Sequence, residues 1–164
     1  MSQAPPITIR DARVEDADEL VRIWMQRLPS GSVPSARQLD LFRAKLAPDP
    51  VFRTWVAESA DTILGWTALG PNRASPALHD TVADWSLYVD AEHRRRGTGK
   101  QLAHHMLAFA RTSPLEWIVG HIAVSNQAMY QLVVLQLGFR VMTTIPPSRR
   151  NPSREAVLML ALEV

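Results

Sequence analysis

The stretch LYVDAEHRRRGTGKQL, residues 87–102, sets three consecutive arginines, two glycines one residue apart and a lysine directly ahead of a helical pattern. Upstream, TVADWSLYVD reads as a strand over Thr81–Asp90, with a short loop following over Ala91–Arg96. Downstream, Leu102, Ala103, Met106, Leu107 and Ala110 share one face of a helix expected over residues 97–111. Glycine at 97 and 99 lets the backbone come close to a ligand and take unusual φ/ψ values. A helix start offers unpaired N–H groups and a partial positive charge. Adding Arg94, Arg95, Arg96 and Lys100 makes the segment suit a multiply charged phosphate ligand. The competing reading is a solvated basic turn, which does not need the glycine spacing.

Three phosphate-binding patterns compete for this stretch. A Walker A loop needs four residues between its first glycine and a Gly-Lys pair followed by Ser or Thr, and Gly97-Thr98-Gly99-Lys100-Gln101 has neither. The dinucleotide fingerprint GxGxxG would need glycine where Leu102 stands, and a parallel βαβ unit. The third pattern, Arg or Gln, two residues, Gly, one residue, Gly or Ala, is met by Arg94-Arg95-Arg96-Gly97-Thr98-Gly99.

Working outward, Ile7–Arg10 reads as a strand, DARVEDADELVRIWMQRL as a helix with Ala17, Leu20, Val21, Trp24 and Leu28 on one stripe, and ARQLDLFRAKL as a second helix. FRTWVAES and ILGWTALG form a hairpin turning at Ala60–Thr62. EWIVGHIAV is apolar enough to be a central strand, NQAMYQLVVLQLGF is a helix closed by Gly138, and FRVMTTI and AVLMLALEV are the last strands. The expected order is βααβββαβαββ, one α+β domain over residues 1–164 with about seven strands flanked by helices.

Composition bounds the function classes. The 164 residues are 46% hydrophobic and 21% charged, with a net charge of +2, too little to argue for a nucleic-acid partner. With no cysteine there is no disulfide framework, no thiolate zinc site and no cysteine nucleophile. The five histidines form no HxxxH or HExxH pair, so no metal is expected. No apolar run reaches the roughly 20 residues that span a bilayer. MSQAPPITIR lacks the pattern of a signal peptide, so the expected setting is cytoplasmic.

The residues 87–102 resemble the GNAT superfamily of N-acetyltransferases, whose pyrophosphate loop for coenzyme A has the third pattern. VSNQAMYQLVVLQLGF is similar to a second motif of that family, an Asn-led helix ending in Gly-Phe, and the element order matches along nearly the whole chain. TWVAES, ILGWTALGP and HDTVADWSLYV resemble the phosphinothricin-acetyltransferase branch, whose substrates are amino-acid-like. The resemblance implies a mixed, mostly antiparallel sheet and direct acetyl transfer from acetyl-coenzyme A to the primary amine of a small molecule. It implies that the cofactor lies between strands that splay apart after Val89 and near Val124. The Val89 amide would stabilise the oxyanion, Leu87, Tyr88 and Val89 would pair with the pantetheine arm, and the amides of Arg94, Arg95, Arg96, Gly97, Thr98, Gly99 and Lys100 would wrap the pyrophosphate. Asn126 would bond the arm near its sulfur, and the family's habit of pairing as homodimers through the last strands is one that the apolar AVLMLALEV allows but periodicity does not demand.

Two departures from the family pattern bear on catalysis. Relatives carry glutamate six residues before the motif valine, where this chain has Ala83 beside Asp84. Side chains alternate along a strand, so Asp84 can serve as base in that place only if a bulge intervenes; otherwise it is a solvated or capping carboxylate. Relatives place Tyr or His four residues before the helix-ending glycine, where this chain has Val134. Asn126 also stands one residue farther from Gly138 than usual, which demands an extra residue or a bulge in the helix. Tyr130, one turn after Asn126, is the candidate acid, against a half-buried core tyrosine. If no acid acts, the thiolate can leave unprotonated, since a thiol of pKa about 8.5 is a tolerable leaving group; the rival reading is a catalytically weak coenzyme A-binding module, supported by Val134 and Ala83. His121, in the central strand near the cleft, reads as a core histidine or, alternatively, as a substrate contact, and His104 and His105 lie on a polar flank. Trp24, Trp55, Trp66 and Trp117 read first as core, with Trp24 and Trp66 able to line an acceptor pocket beside the loop Pro29–Ser35. Arg149, Arg150 and Arg154 form a second basic cluster, read as a solvated loop or, alternatively, as a site for a substrate carboxylate.

Overall fold

The structure, a computed structural model, describes residues 5–28, 31–72 and 74–164. The described residues form β1 (Thr8–Asp11), α1 (Ala17–Met25), α2 (Ala36–Lys45), β2 (Thr54–Ser59), β3 (Thr62–Pro71), β4 (Val82–Val89), α3 (Thr98–Ala110), β5 (Trp117–Ala123), α4 (Gln127–Tyr130), β6 (Arg140–Ile145) and β7 (Val157–Glu163). The strands pair in the order β1-β2-β3-β4-β5-β7-β6. The β4–β5 pair is parallel, while β1–β2, β2–β3, β5–β7 and β6–β7 are antiparallel. This is the α+β class that the element order predicts, with the mixed, mostly antiparallel sheet that the resemblance implies. Two compact units are distinguished. One comprises residues up to Gly70 with Ser86–Ser113, and the other comprises Pro71–Trp85 with Pro114–Val164.

In the first unit, the β2–β3 hairpin turns on Ala60 and Asp61, both with positive φ (47° and 61°), the twist that suits a two-residue hairpin. α1 buries Ala17, Leu20, Val21 and Ile23, each at 2% exposure or less. A fully buried Leu or Ile contributes roughly 1.5–3 kcal/mol, so this stripe fixes the helix on the sheet. The α-helix begins only at Ala17, after a 3-10 turn over Val14–Asp16, because Asp16 accepts from the Arg13 amide (2.7 Å) and from the Arg10 guanidinium (2.7 Å). Leu28, expected on the stripe, lies past the helix end. α2 opens on a reciprocal cap: the Gln38 amide donates to Ser35 Oγ (3.3 Å) and the Ser35 amide to Gln38 Oε1 (2.8 Å). Trp66 donates through Nε1 to the Leu20 carbonyl (3.0 Å) and packs 4.8 Å from Tyr88 and 5.8 Å from Phe42. Trp24 is half-buried beside Phe42, so it lines this cluster rather than filling it. α3 buries the five residues its spacing predicts and leaves His104 and His105 exposed.

In the second unit, β7 is paired on both sides, with β5 from Trp117↔Glu163 to Ala123↔Val157 and with β6 from Arg140↔Ala161 to Ile145↔Val157. The apolarity of AVLMLALEV therefore reflects an interior strand. Its backbone groups are paired on both sides, and the outer strand is β6. His121 is exposed, not core: along β5 it alternates with the buried Gly120 and Ile122. Trp85 stacks on Phe139 with ring centroids 5.1 Å apart, over Gly120, where an added Cβ would meet the indole at 3.6 Å. The expected single helix over 126–139 is an α-turn, Gln127–Tyr130, followed by a π-helix over Gln131–Gln136. In it the Leu137 amide reaches back to the Leu132 carbonyl (3.0 Å). This wider turn absorbs the one-residue excess between Asn126 and Gly138. The loop before β7 is exposed at Arg149, Arg150 and Arg154, with Arg154 donating to the Pro146 carbonyl (2.8 Å).

Candidate functional site

β4 fixes the direction of every group it carries. The Asn72 amide donates to the Val82 carbonyl (3.1 Å), and the Asp90 amide to the Leu64 carbonyl (2.9 Å). These two bonds are separated by the same number of residues on each strand, so no residue is inserted and β4 runs beside β3 without a bulge. Backbone groups alternate along a strand, so Tyr88 and Asp90 turn their amides toward β3. Leu87 and Val89 turn theirs to the opposite edge, where an acyl oxygen or an extended ligand could accept them. The Tyr88 side chain packs on Trp66. Gly65 stands opposite Val89. An added Cβ there would lie 2.7 Å from the Tyr88 carbonyl oxygen, so only glycine lets β3 and β4 approach at this point.

After β4, Ala91–His93 form a 3-10 turn, and Arg95 (φ 61°) and Gly97 (φ 82°) take left-handed conformations before α3. The first intrahelical bond is Gln101 N–H to the Gly97 carbonyl (3.0 Å), so the amides of Thr98, Gly99 and Lys100 have no helical acceptor. The first turn of α3 holds no acidic residue and its N-cap contributes no side-chain bond. Arg94 donates through Nε to the Val89 carbonyl (3.3 Å), which folds the loop back on the strand end. Arg95, Arg96 and Lys100 are exposed and have no carboxylate partner among the described residues. Thr98 is buried and its hydroxyl is unpaired, so its backbone amide is what it presents. Free amides, an uncompensated helix dipole and unpaired cations fit a pyrophosphate group.

The loop is anchored from α1. Asp90, 2% exposed, accepts from Arg22 Nη2, from Gln26 Nε2 (3.3 Å) and from the Glu92 amide (2.9 Å), while Gln26 Oε1 accepts from the Ala91 amide (2.9 Å). Burial alone would raise the Asp90 carboxyl, but the bonds from Arg22 and the Glu92 amide, with the charge of Arg22, outweigh it and hold the group below the ordinary carboxylate value. His93 Nδ1 is buried without a hydrogen bond, 3.6 Å from Asp90 Oδ1. Sequence reasoning missed Arg22 and Gln26, since the Arg22–Asp90 pair spans 68 positions and carries no local pattern.

In the second unit, Asp84 is exposed and accepts from Asn72 Nδ2 (2.7 Å), and Asn72 is itself buried. Without a bulge, Asp84 stays on the face of β4 opposite Ala83. Asn126 caps α4: its Oδ1 accepts from the Met129 amide (3.1 Å), which leaves Nδ2 as its free donor. The Ser125 amide donates to Glu155 (2.5 Å), and hydrogen bonds from the Ser125 hydroxyl first and its amide second hold the Glu155 carboxyl below its ordinary value. Tyr130 is half-buried, and its hydroxyl has no partner among the described residues. Val134 is half-buried. Pro29 and Ser30 of the presumed acceptor loop lie outside the described residues. Among those described, no group of three or more His, Asp or Glu could hold a metal, and no helix is long and apolar enough to cross a membrane.

The sequence matches the model of the acetyltransferase (GNAT) family over residues 17–139. It is 33% identical over 89 residues to human N-acetyltransferase 8, a stretch covering 52% of this chain and 37% of the human protein. Among solved structures it is similar to a GCN5-related N-acetyltransferase from Kribbella flavida (TM-score 0.78, 27% identity, 96% of this chain and 98% of that one). It is also similar to a ribosomal-protein-alanine N-acetyltransferase from Brucella melitensis (0.82, 21%, 96% and 99%). A third is a phosphinothricin acetyltransferase from Sinorhizobium meliloti, solved in complex with acetyl-coenzyme A (0.81, 18%, 96% and 88%).

Proposed function

The chain belongs to the acetyltransferase (GNAT) family, and on that premise we propose that it is an N-acetyltransferase moving acetyl from acetyl-coenzyme A to the primary amine of a small molecule by direct transfer. The observation that carries this reading is the start of α3, where three amides have no helical acceptor and the exposed Arg95, Arg96 and Lys100 have no carboxylate partner among the described residues. A bound acetyl-coenzyme A supplies an activated acyl thioester. The Val89 amide, aimed away from β3, holds the negative charge that develops on the acyl oxygen. Leu87 offers a second outward amide to the extended arm, and the groups from Arg94 to Lys100 hold the pyrophosphate. Asn126 contributes the Nδ2 donor. With no bulge to turn it, Asp84 stays hydrogen-bonded to Asn72 as a solvent-facing carboxylate, so the attacking amine gives its proton to a water chain, and Tyr130 returns one to the leaving thiolate.

An amino-acid-like acceptor follows the resemblance to the phosphinothricin branch, and the solved phosphinothricin acetyltransferase supports it. A single N-acetyltransferase domain, cytoplasmic residence and a homodimer belong to the same proposal, and light scattering after gel filtration tests the last. The rival reading is a catalytically weak coenzyme A-binding module, favoured by Ala83 and Val134 at the places where relatives carry an acid and a proton donor.

Calorimetric titration with acetyl-coenzyme A and with acetyl-pantetheine, which lacks the phosphates, tests the loop. Strong binding that collapses without phosphates is expected, and equal affinities would overturn the assignment. Thiol release in an amine screen then separates the enzyme from the binding module.

A further inference from the structure

We infer that Arg22 and Gln26, on the last turn of α1 and just beyond it, are positioning residues for the phosphate loop, and that Arg22 also neutralises a carboxylate that would otherwise oppose the bound anion. The inference rests on the proposed role of residues 94–100. Asp90 is the residue between the end of β4 and the loop, and it is almost wholly buried. A buried charge is tolerated when paired and hydrogen-bonded. Asp90 meets that condition through Arg22, Gln26 and the Glu92 amide. Gln26 works in both directions, donating to Asp90 and accepting from the Ala91 amide, so the loop's first two residues are fixed to one side chain.

Two consequences follow from this geometry. The loop adopts left-handed turns at Arg95 and Gly97 that no side-chain cap on α3 supports, so its shape depends on how its first residues are held. The carboxylate also sits on the chain a few residues before an anion site. Unpaired, it would repel a pyrophosphate; paired with Arg22, it does not. Arg22 is shared with Glu19, an exposed carboxylate on α1. The Glu19 arm is a surface pair of little energetic weight, whereas the Asp90 arm is the consequential one.

The test compares acetyl-coenzyme A with acetyl-pantetheine on the intact chain. Arg22→Gln is expected to lose on the order of tenfold in affinity for acetyl-coenzyme A, with affinity for acetyl-pantetheine unchanged. Arg22→Gln combined with Asp90→Asn, which removes the orphaned charge, should recover most of that loss. Glu19→Gln should behave as the parent chain. Should Arg22→Gln fold poorly, Gln26→Ala, an exposed change, carries the same expectation with a smaller loss. Arg22→Gln and Gln26→Ala proteins that discriminate between the two ligands as well as the parent would overturn the inference alone. So would equal losses for both ligands, which would mark a structural role. A parent chain indifferent to the phosphates would overturn the loop assignment and this inference with it.

Discussion

The two helices that carry the family's motifs begin in opposite ways. α3 starts on a left-handed glycine with no side-chain cap and no acid in its first turn. α4 starts on Asn126, whose side chain satisfies the Met129 amide at once. An uncapped start costs about 1 kcal/mol in a typical helix. α3 recovers this over thirteen residues with a well-buried face. α4 could not, because only four residues of α-helix precede its π-helix. The difference teaches where each helix can hold a ligand: α3 keeps its terminal amides open for an anion, while α4 can offer only what its cap leaves over, the Asn126 Nδ2.

The strongest way to break this contrast is to close the start of α3. Gly97→Glu places a carboxylate among the free amides. Its Cβ would point into open space, 4.0 Å from Gln101 Nε2, so the fold should survive with only the strain of a left-handed side chain, about 1 kcal/mol. Titration should show acetyl-coenzyme A affinity down by roughly 100-fold or more. Undiminished binding would mean that α3 is not the anion site.

A smaller effect is expected at the other helix. Tyr130→Phe should lower kcat by about tenfold to a hundredfold with little change in KM for acetyl-coenzyme A, as loss of a proton donor does. An unaltered kcat would leave the π-helix without an acid and favour a thiolate that leaves unprotonated.

Asn126 separates capping from ligand contact. Asn126→Ala should cost ~1 kcal/mol of stability and also raise KM for acetyl-coenzyme A. Asn126→Ser keeps a capping oxygen and lacks the amide donor, so thermal melting should recover while KM stays raised. Recovery of both would assign Asn126 to the cap alone.

The smallest effect concerns acid. Asp90 has a folded-state pKa below its unfolded value, so between the two the unfolded chain binds more protons and stability rises with pH. Its contribution is complete above the ordinary carboxylate range and is lost as pH falls through the lower folded value. Asp16, held down in the same direction despite its burial by bonds from Arg10 and the Arg13 amide, adds to that limb. Melting temperature against pH should therefore fall less steeply in acid for Asp90→Asn than for the parent chain. Identical slopes would show that Asp90 is not stabilised as its contacts imply.

What could be read along the chain was whatever consecutive residues settle among themselves. Arg94 to Lys100 declare an anion site because charge, glycine and a helix start are neighbours in sequence. The strand order around the β2–β3 hairpin follows from alternation and from the turn at Ala60–Asp61. The excess residue between Asn126 and Gly138 was countable, and it demanded the irregularity that the π-helix supplies. His121 misled because apolar neighbours indicate a strand, but not which face is covered. Tertiary structure alone decided the unbroken register that keeps Asp84 opposite Ala83 and aims the Val89 amide away from β3, because register is a property of two strands together. It alone brought Arg22 and Gln26 to Asp90, since a buried carboxylate selects its partners by proximity in space, and no local pattern records that choice.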